Sequence, residues 1–310
     1  MNRQTDQKLI LVLRSTRLEE LVRRFNTVEQ ARFYIEHLGA DFSDYQREHS
    51  TYRAAADEAA RQLGEMGRLQ IVSREHLPNF IFGPEDIVAA LGQDGLVANT
   101  LKYLDSQPLI GVNPDPARWD GVLLPFEARE LAAVVSGLLQ GKRSFRRVTL
   151  AHAALNDGQS LLAVNDLFIG QRTHVSARYV IEAEGRREQQ SSSGVIVSTG
   201  LGSTGWLKSI VAGAGAISSA LGGGRAKTEL RLPWDADALQ YFVREPFVSR
   251  TTAAGIVTGP VKPGSALKLT SQMPENGVIF SDGIESDFLQ FNSGVEATIT
   301  VAERKGRLVV

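Results

Sequence analysis

The sequence predicts an α/β N-terminal domain built on a parallel sheet, followed by a mostly antiparallel, β-rich C-terminal domain. Three observations predict it. At 310 residues the chain has room for two domains of roughly 150 residues each. In the first half, short apolar runs alternate with stretches of helical periodicity, as in parallel sheets covered by helices. From Phe145 onward, short strands follow one another across turn dipeptides, as antiparallel strands do. The break falls between Gly141 and Arg147, giving domains of residues 1–145 and 146–310.

Lys8 to Leu13 is a compact apolar run suited to a buried strand. Ser43-Asp44-Tyr45-Gln46 has the Ser-x-x-Gln form of a capping box. The helix it opens carries Tyr45, Tyr52, Ala56, Ala59, Ala60 and Leu63 on one face. Leu69 to Val72, Ile87 to Leu91 and Leu109 to Val112 read as further strands. Helices are expected over Leu96 to Leu104 and over Glu127 to Gln140, the latter stopping before Gly141. Beyond the break, Val148 to Leu155 and Leu161 to Ile169 flank Asn156-Asp157-Gly158, a hairpin turn. Val175 to Ala183 and Gly194 to Thr199 continue the pattern, and a helix begins at Thr204. A soft, glycine-rich stretch is expected over Ala212 to Gly224. Short strands return at Glu229 to Leu232, Ala266 to Leu269, Val278 to Ser281 and Ala297 to Val301.

Composition narrows the chemistry. Thirty-four Lys and Arg against 35 Asp and Glu leave a formal charge of −1, without the basic excess of a nucleic-acid binder. There is no cysteine, which removes disulfides, thiolate nucleophiles and cysteine-bound zinc. The five histidines show no ligand spacing, so no metal site is read from the protein side chains. The apolar run Leu9 to Leu13 is too short for a signal peptide or a bilayer span. A cytoplasmic protein without membrane partners is expected. Hydroxyl, carboxylate, imidazole and backbone groups remain to do the work.

Three segments could do it. Ile87 to Leu91 feeds Gly92-Gln93-Asp94-Gly95, and a helix follows. Beyond the carboxyl end of a parallel strand, Gly92 and Gly95 would let the backbone approach a phosphate, and Asp94 would stand beside it. A plain Asp-Gly turn between strand and helix also accounts for the segment. Gly-x-x-x-x-Gly-Lys-Ser/Thr is absent, and no Gly-x-Gly-x-x-Gly follows the first strand. Asn165-Asp166 sets an amide beside a carboxylate in an apolar strand. The pair could grip ribose hydroxyls and a base edge, or cap backbone at a strand end. Val197 to Trp206 breaks from a strand into a loop with three glycines and four hydroxyl residues, then an aromatic. Ser203 and Thr204 would offer donors and Trp206 a stacking surface.

Taken in order, Gly92-Gln93-Asp94-Gly95, Asn165-Asp166, Gly202-Ser203-Thr204-Gly205-Trp206 and Asp282-Gly283 resemble the motifs of the NAD kinase family across residues 80–290. The resemblance implies ATP-dependent phosphorylation of the 2′-hydroxyl of the adenosine ribose of NAD, giving NADP. By it, Asp94 meets that hydroxyl, Gly92 and Gly95 lie near phosphates, and Asn165 and Asp166 bind ribose and base. Ser203, Thr204 and Trp206 line the dinucleotide pocket. It also implies Mg²⁺ carried largely by the nucleotide and a homo-oligomer, dimer or tetramer. Four positions depart from the family pattern. Gln93 stands for the second glycine and Leu96 for a threonine, while Asp166 replaces glutamate and Trp206 replaces tyrosine. These departures keep two other readings open. One is a kinase of another hydroxylated small molecule, a sugar or nucleoside. The other is a catalytically silent nucleotide sensor, for which Gln93 is the main support.

Overall fold

The computed structural model describes residues 4–223 and 230–310. The chain divides into two compact units, residues 1–146 with Arg307–Val310, and Arg147–Gly306.

The first unit is built on strands β1 (Lys8–Leu13), β2 (Arg68–Ser73), β3 (Ile87–Leu91) and β4 (Pro108–Asn113). They pair in parallel in the order β2-β1-β3-β4. Strand β5 (Phe126–Glu127) lies parallel to the carboxyl end of β4, and Arg307 and Leu308 lie parallel to its start. Leu9 to Val12 and all of β3 are buried, as near-continuous apolar strands are when both sheet faces are covered. Five helices flank the sheet: α1 (Arg17–Phe25), α2 (Val28–His37), α3 (Phe42–Met66), α4 (Asp94–Leu101) and α5 (Leu131–Leu139). Tyr52, Ala56, Ala59 and Leu63 of α3 pack on Leu9, Leu11 and Ala89, the face read from periodicity. Tyr45 instead packs in a smaller cluster with Leu18, Ile35 and Phe42. The cap of α3 is also not the expected one. Asp41 caps it, accepting the Ser43 N–H at 2.8 Å, while the Ser43 hydroxyl donates to the same carboxylate. A charged acceptor one turn-step earlier outcompetes the serine.

The second unit is antiparallel. Strands β6 (Phe145–Leu155), which starts in the first unit, and β7 (Ser160–Ala163) form a hairpin. They are followed by β8 (Asp166–Gln171), β9 (Ala177–Ala183), β10 (Arg186–Ser192) and β11 (Val195–Ser198). After α6 (Trp206–Ala220) come β12 (Leu239–Val243), β13 (Thr258–Val261) and β14 (Leu267–Ser271). The last strands are β15 (Gly277–Ser281), β16 (Ile284–Gln290) and β17 (Glu296–Val309). Six of them make one sheet, β13-β12-β11-β8-β15-β16. Its inner face, with Leu167, Ile169, Val195 and Tyr241, shares a core with Tyr179 and Ile181 of β9, Leu269 of β14 and Ile299 of β17. On its outer face Phe168, Ile196 and Val278 pack with Trp206 and Ile210 of α6.

Three expectations are corrected here. The single strand read over Leu161 to Ile169 is two strands, broken at Val164-Asn165. The soft stretch beginning at Ala212 is helical through Ala220, because the small residues there still satisfy backbone bonds within α6; Gly224 lies outside the described residues. Leu230 to Leu232 carry no strand, and Glu229 lies outside the described residues.

Candidate functional site

In the first unit the order β2-β1-β3-β4 reverses direction between β1 and β3, and ligands of open α/β sheets bind beyond the carboxyl ends at such a point. The Gly92-to-Gly95 turn stands there. Gly92 is buried against Leu96, while a side chain at Gly95 would meet open space. Gln93 adopts φ −102° and ψ 165°, extended backbone open to any residue. The side chain at position 93 therefore imposes no strain on the turn. Asp94 is the first residue of α4, at the positive end of that helix. Its Oδ1 accepts the Leu123 N–H at 2.8 Å, and Oδ2 has no hydrogen bond among the described residues.

A loop that sequence reasoning passed over holds that carboxylate. A Cβ at Gly111, in the middle of β4, would lie 1.8 Å from the Leu123 carbonyl oxygen. Glycine is what lets residues 123–124 lie against β4 and bring the Leu123 N–H to Asp94. Asn113 fixes the same loop, donating from Nδ2 to the Trp119 carbonyl at 3.0 Å and accepting from the Asp115 N–H at 3.0 Å. Gly-Val-Asn at a strand end was the available signal.

In the second unit the remaining three motifs meet around one backbone kink. Asp282 and Gly283, both at positive φ (54° and 71°), turn β15 into β16. The Asp282 carboxylate accepts the N–H groups of Val164 at 3.1 Å, Asn165 at 2.6 Å and Asp166 at 3.3 Å. These bonds break the strand into β7 and β8 and leave the Asn165 side chain half-exposed, with no hydrogen bond among the described residues. The hydroxyl-rich loop locks onto the same kink. The Thr199 N–H donates to the Asn165 carbonyl at 2.9 Å. The Thr199 hydroxyl donates to the Val164 carbonyl at 2.5 Å and accepts the Gly202 N–H at 3.2 Å. A Cβ at Gly202 would lie 2.2 Å from the Asn165 carbonyl oxygen, so this glycine serves the packing of the two segments. Ser203 is buried and turned inward, donating to Gly200 and accepting from Leu232. Thr204 is exposed.

Asp166 is the electrostatic anomaly. Only 8% exposed, it has an Oδ1 with no hydrogen-bond partner. Burial pushes its carboxyl up to about 7; the facing Ser198 hydroxyl works against that rise and the Asp282 charge adds to it. Two residues along the same face of β8, Phe168 stacks against Trp206 with centroids 6.0 Å apart and planes 6° from parallel. These rings border a cleft of about 340 Å³ on the outer face of the sheet, with Arg172, His174, Arg244 and Phe280 also lining it. The Arg244 guanidinium lies 5.6 Å from the Trp206 ring. An unpaired amide, a buried carboxyl and an aromatic, cationic cleft form a graded polar-to-apolar surface suited to a nucleoside bearing phosphates.

No family model matches the chain. It is 26% identical over 222 residues to a probable NADH kinase of Oryza sativa subsp. japonica, covering 64% of this chain and 63% of that protein. It is 26% identical over 127 residues to the NAD kinase of Chlorobaculum tepidum, covering 40% of this chain and 44% of that one. The chain thus matches less than two thirds of the length of either relative. Among solved structures, an NAD kinase from Archaeoglobus fulgidus in complex with ATP superimposes over 97% of this chain and 93% of its own, with a TM-score of 0.54 and 16% identity. Yeast NADH kinase complexed with NADH superimposes over 99% of this chain and 84% of its own, with a TM-score of 0.55 and 16% identity. The chain has the NAD kinase fold. The expected likeness to NAD kinases is borne out in sequence similarity over part of the chain and in the fold. On this NAD kinase fold, the Gly92-to-Gly95 turn belongs to the first unit, and the other three motifs converge within the second.

Proposed function

We propose that the chain transfers the γ-phosphoryl group of ATP to the 2′-hydroxyl of the adenosine ribose of NAD or NADH, giving NADP or NADPH and ADP. The observation that carries this reading is Asp94. It is a half-buried carboxylate at the start of α4, fixed through one oxygen by Leu123 and open through the other, at the sheet's reversal point. Asp94 Oδ2 holds the acceptor hydroxyl and takes its proton as the O2′–Pγ bond forms and the bond from Pγ to the bridging oxygen of ADP breaks. An ordinary carboxylate is a weak base toward an alcohol, but phosphoryl transfer asks mainly for alignment and charge stabilisation. Gly92 and Gly95 line the phosphates, with the N–H groups at the start of α4 facing them. Asn165 and Asp166 bind ribose and base, Thr204 and Trp206 border the dinucleotide, and Ser203 shapes their loop from inside. The departure at Gln93 fits retained turnover, since its backbone is unstrained.

Mg²⁺ fits this donor set as a cation carried by the nucleotide. Among the described residues no three His, Asp or Glu side chains cluster as a cage, and Asp94 Oδ2 is the free carboxylate oxygen in the turn. When bound it neutralises phosphate charge. We further propose a cytoplasmic homo-oligomer with no nucleic-acid partner; no described helix is long and apolar enough to cross a membrane.

The test is purified protein with ATP, Mg²⁺ and either NAD or NADH, with NADP(H) read by an NADP-specific dehydrogenase. Turnover with one or both is expected, and Asp94→Asn should lower kcat at least about 100-fold while leaving KM for the dinucleotide within a few-fold. No NADP(H) from a folded protein that binds both nucleotides overturns the reading. Full activity in Asp94→Asn removes Asp94 from it.

A further inference from the structure

Arg14 immediately follows β1, so it stands on the other side of the reversal point from the Gly92-to-Gly95 turn. Its side chain is held in place by several groups. The Arg14 N–H donates to the Tyr52 hydroxyl at 2.9 Å, and that hydroxyl donates to the Leu91 carbonyl at 2.9 Å, tying the ends of β1 and β3 together. Burial pushes the Tyr52 phenol up to about 12, so it stays protonated and can serve both bonds. The guanidinium carbon lies 4.8 Å from the Tyr52 ring centroid. One terminal nitrogen donates to the Glu48 carboxylate at 2.7 Å and the other to the Ser15 carbonyl at 2.9 Å. The two charged side chains are only 11% and 4% exposed.

Two features of this arrangement exceed what folding needs. A buried ion pair is a weak source of stability, because desolvation offsets most of its attraction. The pair is also incomplete. Those two bonds use two of the five guanidinium N–H donors, and Nε is buried with no partner at all. The adjoining carbon, Cδ, lies 3.6 Å from where a Cβ on Gly92 would stand. The base of the guanidinium thus adjoins the turn, and Nε, bonded to that carbon, is the buried donor without a partner. The nearby Arg17 and Arg118 bond instead to Asp44, and neither has a buried nitrogen without a partner among the described residues.

We infer that Arg14 is a phosphate-binding residue of the first unit, presented by Glu48 and Tyr52 to the terminal phosphates of the nucleoside triphosphate in the Gly92-to-Gly95 turn. This deepens the kinase reading and rests on it for the identity of the ligand. The chemistry fits a polyphosphate. The turn offers neutral N–H groups, Asp94 adds a negative charge, and a planar guanidinium supplies charged, directional donors beside both. Glu48 holds one end of the guanidinium at 2.7 Å. Lysine would supply the charge but not the fixed fork.

The experiment compares wild type, Arg14→Lys and the double variant Arg14→Gln/Glu48→Gln, in which no buried charge is left unpaired. Binding of non-hydrolysable ATP, AMP and inorganic tripolyphosphate is measured by calorimetry, with Tm as the folding control, and KM and kcat by the coupled assay. In the double variant, ATP and tripolyphosphate affinity should fall at least tenfold while AMP and NAD affinity stay within about twofold. Arg14→Lys should recover part of the loss. A folded double variant that binds ATP and tripolyphosphate as wild type does overturns the inference, even if the protein makes NADP. Arg14-dependent tripolyphosphate binding by a protein that makes no NADP(H) upholds the inference and sinks the kinase reading instead.

Discussion

Asp166 carries a cost in the folded protein that its neighbours only partly offset. Its carboxyl titrates at 3.8 when unperturbed and near 7 when buried opposite Ser198, with Asp282 beside it. Between those values the folded state holds a proton that the unfolded chain has released. Stability is therefore fully present below the lower value and is lost as pH rises toward 7, levelling off above it. Asp166→Asn keeps the shape without the charge. It should raise stability at pH 8 by about 1–3 kcal/mol and flatten the slope between pH 4 and 7, read by urea unfolding at several pH values. Parallel curves for the two proteins would show that Asp166 is not the group that titrates. At this scale legibility depended on context. Asp94 and Asp166 were readable because a carboxylate after or within an apolar run is conspicuous. Arg14 was not, since one arginine after a strand has no spacing signature and its partners Glu48 and Tyr52 lie a whole helix away.

At the scale of elements, the site depends on how closely two segments can approach. Gly111 is in the interior of β4, where glycine ordinarily weakens a strand. Its lack of a side chain admits the Leu123 carbonyl, and with it the N–H that fixes Asp94. Gly111→Ala must push that backbone away. It should cost about 1–3 kcal/mol in chemical denaturation, in the range of overpacked cores, and lower NADP(H) formation more than it lowers nucleotide binding. Unchanged activity at unchanged stability would mean the loop relaxes without moving Asp94. The parallel strands were legible because burial on both faces requires unbroken apolar runs. Helices α1 and α2 went unread although the signals exist. Thr16 and Glu19 form a capping box right after β1, and Leu18, Leu21, Val22 and Phe25 repeat at helical spacing. Strand β10, Arg-Arg-Glu-Gln-Gln-Ser-Ser, has no apolar alternation to read. It is a strand because β9 pairs with every residue of it. The kink at Val164-Asn165 was hidden for a similar reason, since its cause, Asp282, lies 118 residues from Val164.

At the scale of the molecule, the chain does not partition at a single break. Residues 307–310 follow the β-rich half in sequence yet belong to the first unit, so β17 starts in one unit and ends in the other. The contacts made by this short return are substantial. Arg307 and Leu308 pair with Pro108 and Leu109, the Arg307 guanidinium donates to the Ser106 carbonyl at 2.8 Å, and it lies 4.0 Å from the Phe145 ring centroid. Leu308 is 2% exposed, and Val309 is fully buried in the cluster that also holds Leu11, Ala89, Ile110 and Val134. The parallel sheet that positions Asp94 is thus completed by side chains encoded about 200 residues after β4. A Leu308→Ala/Val309→Ala variant leaves the turn, the Asn165 kink and the aromatic cleft untouched in sequence. Two large-to-small changes in a packed core should destabilise the first unit by about 3–6 kcal/mol, taking a few kcal/mol for each. Hydrogen exchange reads the effect by location: amides of β3 and β4 should lose protection, while those of β8 and β11 lose less. Unchanged protection in β3 and β4 would show that the returning residues do not support the sheet. If they do support it, NADP(H) formation should fall at temperatures where the second unit's amides are still protected, because Asp94, the proposed base, follows a strand of the sheet that has loosened.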